Sequence, residues 1–588
     1  MKKAHRAAIA VGFAICIFYS QIALQAQTAE TSSGHESEPV LVASAQGEQA
    51  AEQASTAAPQ APSPAAIPAA KPAPPPPGFL TRWGKAYLMD WTGTTPVDPN
   101  PQQRRGTPPP IPSPPYPASD WPVGGTEEIG VPDYQTYMLQ SAIDKDPIKL
   151  SRIKWYGWAS IGANGSTNNR GNAQKGIAAN SPAAYDVFPN TVVLDQLALY
   201  TERLADVTQT DHFDWGFRIT NLYGQDYRYT TSHGILSQQL LVKNSQYGYD
   251  PVMVYADLYF PKLGKGADLR LGRYVSLPDI EAQLAPNNYS YSHSILYTYD
   301  CYTMVGANLT VKVNDHWTWQ GGFSPGCDTA PWTHDAKPTG NLCGIYAWRN
   351  GQDTINLCDN TINDGKYAYN NLTAFYLTWY HSINPRWHTD TEGWYQYMRD
   401  TPNMFWINTG VPYNRISSPW PENVSNNRFV YPGGPGSAPV TPSTLNFGAV
   451  CENPNTFFTG SHASYCYAPE WAITNYVEHN FWKNAASLNI RSEVVDDIKG
   501  QRTGTPAIYE EHMAGFDFWV GSTVTFRPEL SYTHSFSPYG LRALDIQPGS
   551  SVSALQNAPA GQSPALTMKG IGAKTQALTI AADLIWHF

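Results

Sequence analysis

The sequence predicts an all-β protein: a transmembrane, antiparallel, up-and-down β-barrel of about fourteen strands, preceded by a disordered, Pro-rich N-terminal extension. Three observations carry this prediction. The chain ends in a strand that finishes on an aromatic residue, many segments have apolar residues at every second position, and the connections between these segments alternate between short and long.

The C-terminal segment 575–588 (TQALTIAADLIWHF) has the pattern of a strand with one apolar face. That face consists of Leu578, Ile580, Ala582, Leu584, Trp586 and Phe588. In an outer-membrane barrel the last strand pairs with the first, so that no backbone edge is unpaired in lipid. We therefore expect the strand ending at Phe588 to pair with the strand near Ile153 and to be recognised by the barrel-assembly machinery. A soluble sheet that ends in the same way is the alternative.

The chain begins with a predicted signal peptide over residues 1–26. Lys2, Lys3 and Arg6 precede an apolar core at 7–19, which is too short to span a bilayer as a stable helix. Removal of this peptide changes the formal net charge from −10 to −13, because three basic and no acidic residues leave. Such acidity argues against a nucleic-acid partner, since nucleic-acid binding requires basic surfaces.

The composition favours many short strands over a helical fold. Aromatic residues make up 13% and charged residues only 15% of the chain, with 46 Gly and 49 Pro to form turns and loops. Residues 27–78 are mainly Ala, Gln, Glu, Ser and Pro, and cannot form a core. We expect 27–150 to be a periplasmic linker and 151–588 to be the outer-membrane barrel.

One segment of this linker, 79–91 (FLTRWGKAYLMDW), has a different pattern. Leu80, Trp83, Tyr87 and Trp91 are three or four residues apart, which predicts a short amphipathic helix. Such a helix would dock on the barrel or on a membrane surface, or would plug the lumen.

From residue 151 onward, alternation recurs over about ten residues at a time, the length of a tilted membrane-spanning strand. Phe213, Trp215 and Phe217, for example, alternate with Asp214 and Gly216. The fourteen predicted strands lie near 152–163, 192–203, 212–223, 252–261, 268–275, 302–313, 316–323, 371–382, 387–397, 471–481, 486–495, 512–519, 523–534 and 575–588.

The connections between these strands alternate in length. The short ones include 314–315, 382–386 and 520–522, and the long ones are 164–191, 224–251, 276–301, 324–370, 398–470, 496–511 and 535–574. Outer-membrane barrels have short periplasmic turns and long outer loops, whereas a soluble β-sandwich has little reason to collect its long loops at one end. An even number of strands then places both termini in the periplasm.

Six cysteines follow the signal peptide, and an even number in an exported protein indicates disulfides. The expected pairs are Cys301–Cys327, Cys343–Cys358 and Cys451–Cys466. The first pair flanks the predicted hairpin at Asn314 symmetrically, and the other two would close small segments in the fourth and fifth outer loops. A metal cluster, the alternative, has no Cys-x-x-Cys motif or His cluster to support it.

Four segments of the chain resemble the OmpL-like β-barrel porin family. They are Ser113–Gly130, Leu269–Ser294, Leu488–Thr503 and Phe526–Tyr532. The similarity extends over most of residues 80–588 and implies an outer-membrane location with passive transport of small solutes. It implies no particular solute, and it assigns no role to the six cysteines or the long fifth loop.

The inward faces of the predicted strands are polar, as the lumen of a porin requires. The predicted pore-lining residues are Asp214, Arg218, Asp257, Tyr259, Arg270, Lys312, Arg491, Glu493, Arg527 and Glu529, and the same faces include Asp390 and Glu392. Arg491-x-Glu493 and Arg527-x-Glu529 each place opposite charges on one strand face. This repeat predicts a transverse field that orients polar solutes, or a charge ladder that braces the wall.

The third long loop, 276–301, is expected to fold into the lumen, because it mixes turn-forming residues with apolar ones. It would then narrow the pore with Asp279, Glu281, Asn287 and Asn288. An outward loop packed on its neighbours is the alternative. Aromatic residues near strand ends are expected at the membrane interfaces, among them Trp155, Trp317, Trp319, Trp387, Trp394, Trp471, Trp586 and Phe588.

The sequence therefore predicts an outer-membrane porin through which small hydrophilic solutes or ions diffuse passively along a charged lumen. Outer-membrane lipid and these solutes are its expected partners, no cofactor or metal is expected, and a homo-oligomer is compatible with the sequence. A structural or adhesive surface barrel that uses its long loops is the main alternative. A hydrolase is disfavoured, because His293, between Ser292 and Ser294, and His512 have no supporting motif.

Overall fold

A computed structural model shows the chain as a closed barrel of antiparallel strands with two helices at one rim. It describes residues 77–96, 138–145, 151–168, 178–183, 185–186, 188–241, 245–275, 278–333, 336–349, 352–362, 372–384, 386–402, 451, 465–481, 486–503, 506–536, 541–544 and 575–588. The predicted signal peptide, most of the predicted linker 27–150 and most of the outer loop 398–470 lie outside these residues and stay predictions.

Sixteen strands form the barrel in the described part of the chain. They are β1 (Lys154–Ser166), β3 (Thr191–Arg203), β4 (Asp214–Gly224), β5 (Gly248–Phe260), β6 (Ala267–Val275), β7 (Thr303–Lys312), β8 (Trp317–Ser324), β9 (Thr339–Trp348), β10 (Asp353–Ile362), β11 (Thr373–Asn384), β12 (Trp387–Pro402), β13 (Tyr465–Phe481), β14 (Ala486–Asp497), β15 (Ala507–Val520), β16 (Val524–Ser535) and β18 (Gln576–His587). The short strands β2 (Ala178–Ser181) and β17 (Arg542–Leu544) pair with each other in a separate sheet.

The helices are short by comparison with the strands. They are α1 (Phe79–Trp91), α2 (Met138–Asp144), α3 (Tyr227–Thr230), α4 (Gln238–Leu241), α5 (Ile295–Thr298) and a 3₁₀ turn at Ala285–Asn287. Among the described residues, no helix is both long and apolar enough to cross a membrane.

The C-terminal strand closes the barrel, which confirms the prediction made from its sequence. β18 runs antiparallel to β1, with His587 opposite Trp158 and Thr579 opposite Ser166. Gly157 and Phe588 exchange backbone hydrogen bonds of 3.0 and 2.8 Å, so pairing continues to the last residue. The ring therefore has no unpaired edge at this seam, as a wall surrounded by lipid requires.

Two strands, β9 and β10, were missed by the prediction of about fourteen, which assigned 324–370 to one long loop. The two strands form a hairpin within that segment. Their outward apolar residues are few, Leu342, Ile355 and Leu357 among them, and lie between Asn, Asp and Gly residues that weaken the alternating pattern. The added hairpin turns near 349–352, at the same end as the other short turns, so the alternation of short and long connections is preserved.

Each strand separates an apolar outer face from a polar inner face. On β18, Ile580, Leu584 and Trp586 are 65%, 46% and 43% exposed, whereas Thr579 and Asp583 are buried. A soluble protein shows the reverse arrangement. Exposed apolar residues around a polar interior are those of a barrel whose outer wall contacts lipid.

Three disulfides join the predicted cysteine pairs. Cys301–Cys327 brackets the hairpin of β7 and β8, with Cα atoms 5.6 Å apart, as expected. The second bond, Cys343–Cys358, joins residues directly opposite each other in β9 and β10. Its predicted position in an outer loop was wrong, because the hairpin that contains it was not recognised. The third bond joins residue 451 to residue 466, at the start of β13.

Helix α1 has the predicted bounds and docks against the seam between β1 and β18. Trp83 stacks on the outward-facing Trp586 with ring centroids 6.5 Å apart, and Tyr87 donates a 2.8 Å hydrogen bond to the His587 carbonyl. Phe588 packs against the same helix. Trp83, Tyr87 and Trp91 of the amphipathic pattern contact the barrel, whereas Leu80 of the same pattern is 73% exposed.

Asp90 attaches the end of α1 to the turn between β15 and β16. Its carboxylate accepts hydrogen bonds from the Ser522 N–H and Oγ at 3.0 and 2.8 Å, and from Thr523 Oγ1 at 3.0 Å. Gly521 in this turn has a φ of +58° and lies against the same carboxylate, so a side chain there would displace it.

We expect an Asp90→Ala variant to dock its helix more weakly, because hydrogen bonds to a charged carboxylate contribute roughly 1.5–3 kcal/mol each. Tryptic cleavage after Lys85 in the folded barrel should become at least about tenfold faster, since about 1.4 kcal/mol corresponds to that factor. Thr81→Ala, on the exposed face of α1, is the matched control. Equal cleavage rates in the two variants would contradict the attachment by Asp90.

Candidate functional site

The predicted pore-lining residues lie on the inner faces of the strands. Asp214, Asp257, Tyr259, Arg270, Arg491, Glu493, Arg527 and Glu529 are buried, and Arg218 and Lys312 are half-buried. Their contacts divide most of them into two groups. One group forms ion pairs within the barrel wall, and the other contacts residues 276–302, here named the inner loop, which joins β6 to β7.

Ion pairs between adjacent strands occupy the wall from β3 to β6. Arg270 binds Asp257 through hydrogen bonds of 2.8 and 2.9 Å, and its guanidinium carbon lies 3.9 Å from the centroid of the Tyr255 ring. Arg218 Nε donates to Glu202 at 2.7 Å. Because each pair links neighbouring strands, these side chains brace the wall that they line.

Asp214 and Tyr259 lie at the end of the barrel with the short turns. Asp214 accepts hydrogen bonds from Arg152 at 2.7 Å and from Arg203 at 2.9 Å. Tyr259 Oη donates to the Gln209 carbonyl in the turn between β3 and β4 at 3.2 Å. Both side chains tie strand ends to a turn, and their role in lining a pore stays a prediction.

The inner loop lies inside the barrel rather than on its neighbours outside. Its described residues, 278–302, are buried except for Ala282 and Asn287, which are half-buried. Such burial leaves the loop's backbone N–H and C=O groups without water, so they need partners from the wall.

The loop spans the lumen. At β3, the Gln196 side chain accepts from the Ala285 N–H at 3.0 Å and donates to the Gln283 carbonyl at 2.7 Å. At β12, on the far side of the ring from β3, Glu392 accepts from the Ile280 N–H at 2.7 Å. The loop is therefore held from two opposed walls.

Glu493 binds the start of α5, the helical turn within the inner loop. Its carboxylate accepts from the N–H groups of Ile295 and Leu296 at 2.8 and 3.0 Å. Ser294 Oγ accepts from the Tyr297 N–H at 3.0 Å and caps the same turn. The first N–H groups of a helix have no acceptor within the helix. Here a carboxylate of the wall and a hydroxyl of the loop accept their hydrogen bonds.

Arg491 and Glu529 hold the segment that precedes α5. Glu529 accepts from the Tyr291 and Ser292 N–H groups at 3.1 Å each. Arg491 donates to the Ser292 carbonyl and hydroxyl at 2.8 and 2.9 Å and forms an ion pair with Glu511. Donor and acceptor side chains of the wall thus bind the same loop residue.

Arg527 joins two strands and the loop. It forms hydrogen bonds of 2.9 and 2.6 Å with the two carboxylate oxygens of Asp583 on β18. It also donates to the carbonyls of Ala285 and Asn288 at 2.8 and 3.0 Å. The Arg-x-Glu repeats therefore brace the wall and bind the loop, while a transverse field acting on solutes stays a prediction.

The four predicted constriction residues have different surroundings. Glu281 accepts from the Ser294 N–H at 3.0 Å, and Asn288 donates to carbonyls of its own loop, so both fix the loop's conformation. Asp279 is buried beside β12, and Asn287 is half-buried. Their predicted effect on the width of the pore stays untested.

One tryptophan expected at the membrane interface, Trp394, faces the interior instead. Its side chain is only 3% exposed, and its Nε1 donates to the Leu296 carbonyl of the inner loop at 3.2 Å. The error is one of strand parity: Trp394 is two residues from Glu392, so both side chains point to the same face.

Other loop contacts were missed by reasoning from the sequence. Gln196, Gln396, Tyr476 and Arg502 contact the loop itself, and Glu511 pairs with Arg491, which holds the loop. Glu511 follows the two-residue period of inward side chains on β15, and extending that count would have found it. Neutral amide and phenol side chains carry no comparable signal.

His293 of the inner loop is buried against aromatic rings. Its ring centroid lies 3.7 Å from that of Tyr185, and its Nε2 is 2.8 Å from the Ala282 carbonyl. Burial, together with the positive charges of Arg491 and Arg527, lowers the pKa of His293 to about 3. The neutral imidazole therefore donates its Nε2–H to the Ala282 carbonyl, which joins two parts of the inner loop.

The chain also matches the model of a known protein family. The family model described as "Putative beta-barrel porin-2, OmpL-like" matches residues 152–543. No curated protein matches the chain.

Solved porins and outer-membrane proteins are among the structures to which the chain is similar. They include an anion-selective porin from Comamonas acidovorans (8% identity, covering 74% of this chain and 99% of that chain, TM-score 0.39), OmpT of Vibrio cholerae (8%, 74% and 99%, 0.39) and the channel DcaP of Acinetobacter baumannii (8%, 74% and 97%, 0.38).

We expect an Arg527→Met variant to release part of the inner loop, because it removes two hydrogen bonds to loop carbonyls. Both this variant and Arg270→Met leave a buried carboxylate unpaired, which costs roughly 3–5 kcal/mol. Thermal unfolding on semi-native gels should therefore begin at a lower temperature in both. Single-channel conductance should change more in Arg527→Met than in Arg270→Met, since Arg270 pairs with Asp257 across two strands and Arg527 also holds the loop. A conductance equal to that of the wild type in Arg527→Met would contradict its role in holding the loop.

The loop should also loosen in acid through His293. Its pKa in the folded protein, about 3, lies below the ordinary 6.5, so a released loop binds the proton more tightly than the packed one. The free energy holding the loop in place therefore decreases as pH falls from 6.5 towards 3. The protection factors of the loop amides in hydrogen exchange should fall more steeply with falling pH in the wild type than in His293→Phe. Identical pH slopes would refute this assignment.

Proposed function

Because the chain belongs to the OmpL-like beta-barrel porin-2 family and is thus an outer-membrane porin for passive diffusion, we propose that it favours small cations and polar solutes and that its inner loop sets the width of the path. Membership of the family specifies neither the ion selectivity nor the constriction of the pore. The proposed selectivity and constriction rest on the charges of the interior and on the position of the loop.

The observation that carries the selectivity is an excess of acidic over basic side chains among the buried residues, many of which lie on inner strand faces. Among the described residues, 24 Asp and Glu side chains are buried, compared with six Arg and no Lys. A lumen lined by one sign of charge raises the local concentration of ions of the opposite sign. The interior therefore favours cations over anions.

The constriction is proposed from the loop's burial and from its contacts with opposed walls. A segment that bonds Gln196 on β3 and Glu392 on β12 lies across the lumen and reduces the space left for a solute. The largest solute that passes would then depend on how far the loop can move away from the lumen. The Arg and Glu side chains that hold the loop would affect permeation indirectly, by fixing its position.

The orientation in the membrane is also part of this proposal. Most connections at the end where α1 docks are short, whereas most of those at the other end are long. Short turns face the periplasm in outer-membrane barrels. Both termini and α1 would then lie on the periplasmic side, where the linker 27–150 is expected.

The two histidines considered for a hydrolase, His293 and His512, have other contacts in the structure. His293 donates to a loop carbonyl, and His512 Nδ1 lies 3.0 Å from Ser492 Oγ on the outer face. Glu510, on the same face of β15 as His512, contacts His534 at 3.1 Å. Within the described residues, these contacts do not assemble a Ser–His–carboxylate relay.

Planar-bilayer recordings in a KCl gradient should give a reversal potential of the sign that indicates preference for K⁺. Lys312→Gln should increase that preference, because it removes a half-buried positive charge from the inner face of β7. Lys265→Gln, in a turn where Lys265 pairs with Asp315, is the matched control and should leave the potential unchanged. Preference for Cl⁻ would contradict the selectivity, and protein that never opens conducting channels would contradict diffusion itself.

A further inference from the structure

Three buried carboxylates meet where the inner loop joins the barrel wall. Asp279 and Asp300 lie near the two ends of the loop, and Glu392 projects from β12. One carboxylate oxygen of each residue lies within 4.8 Å of the other two. The three side chains are 5%, 1% and 1% exposed.

Two of these carboxylates have oxygens that the protein leaves unsatisfied. Glu392 Oε1 and Asp300 Oδ2 are buried and have no hydrogen-bond partner among the described residues. The neighbouring cation, Arg502, donates to the Tyr299 and Asp300 carbonyls and pairs with Glu470, a carboxylate outside the cluster, at 3.3 Å.

Burying ionised carboxylates without a counter-charge costs several kcal/mol per ion. A folded protein meets that cost by protonating the acids or by binding a cation. Three hard oxygen donors within 4.8 Å of one another fit around one ion, since Ca²⁺ takes carboxylate and carbonyl oxygens at about 2.3–2.6 Å. Zn²⁺ is disfavoured, because structural zinc sites use Cys and His ligands.

We propose that Asp279, Asp300 and Glu392 bind a divalent cation of the Ca²⁺ type. The ion joins both ends of the inner loop to β12, while the Ile280 N–H occupies the other oxygen of Glu392 at 2.7 Å. It adds positive charge beside the three carboxylates and fixes the loop across the lumen.

The surroundings hold the ligands in place before the ion binds. Thr378 Oγ1 on β11 donates to the Pro278 carbonyl at 2.7 Å, next to Asp279. Cys301, next to Asp300, is bonded to Cys327. The loop ends are therefore anchored independently of the ion, which reduces the conformational entropy that its binding must overcome.

The test uses full-length mature protein, refolded in detergent without lipopolysaccharide and stripped with EDTA. Isothermal titration with Ca²⁺ should show one saturable site, and Tb³⁺ should give luminescence sensitised by neighbouring aromatic rings such as Tyr376, whose hydroxyl lies 3.4 Å from the Cys301 nitrogen. Added Ca²⁺ should raise the melting temperature, and EDTA should reverse the shift.

Glu392→Gln and Asp300→Asn should each lower Ca²⁺ affinity by about tenfold or more, since affinity depends on the number of charged ligands. Asp517→Asn is the matched control: it removes another fully buried lumen carboxylate, whose partners are Ser487 and Asn489. Its affinity should equal that of the wild type.

Absence of saturable binding in the wild type would overturn the proposal, because the acids would then be neutralised by protons. Equal affinity in Glu392→Gln and the wild type, or tighter binding of Mg²⁺ than of Ca²⁺, would also overturn it. These measurements involve no ion flow, so their failure leaves the porin function intact, and a failure of conductance leaves this site intact.

Discussion

The structure depends on hydrogen bonds from backbone amides of a buried loop to carboxylates of the barrel wall. A strand in the barrel satisfies its own backbone by pairing with its neighbours, but a loop inside the lumen has no such neighbour. Glu392, Glu493 and Glu529 accept its N–H groups, and Arg527 donates to its carbonyls. Without these contacts, the unsatisfied backbone would make the folded loop unstable in the interior.

This constraint explains why lining the lumen and bracing the barrel are not separate functions. Arg527 and Arg491 each bind a wall carboxylate and the loop with one guanidinium, whose planar group has five N–H donors. A change of charge at either position alters wall, loop and interior field together.

Much of the fold could be predicted from the sequence, because strand alternation and terminal pairing are local patterns. The closing strand at Phe588, the helix 79–91 and the three cysteine pairs were found in this way. The hairpin of β9 and β10 was not, since its Asn, Asp and Gly residues obscure the two-residue period. The inward faces could be assigned, but their partners could not. Glu493 and the loop amide that it binds are 198 residues apart, and no local pattern relates them.

The docking of α1 has a consequence for the order of events during folding. The helix contacts the end of β18 and the turn between β15 and β16, which come last in the chain. That surface exists only once the final strand has paired with the first. A segment synthesised early thus takes its place only after the barrel has closed, and its attachment marks a completed ring.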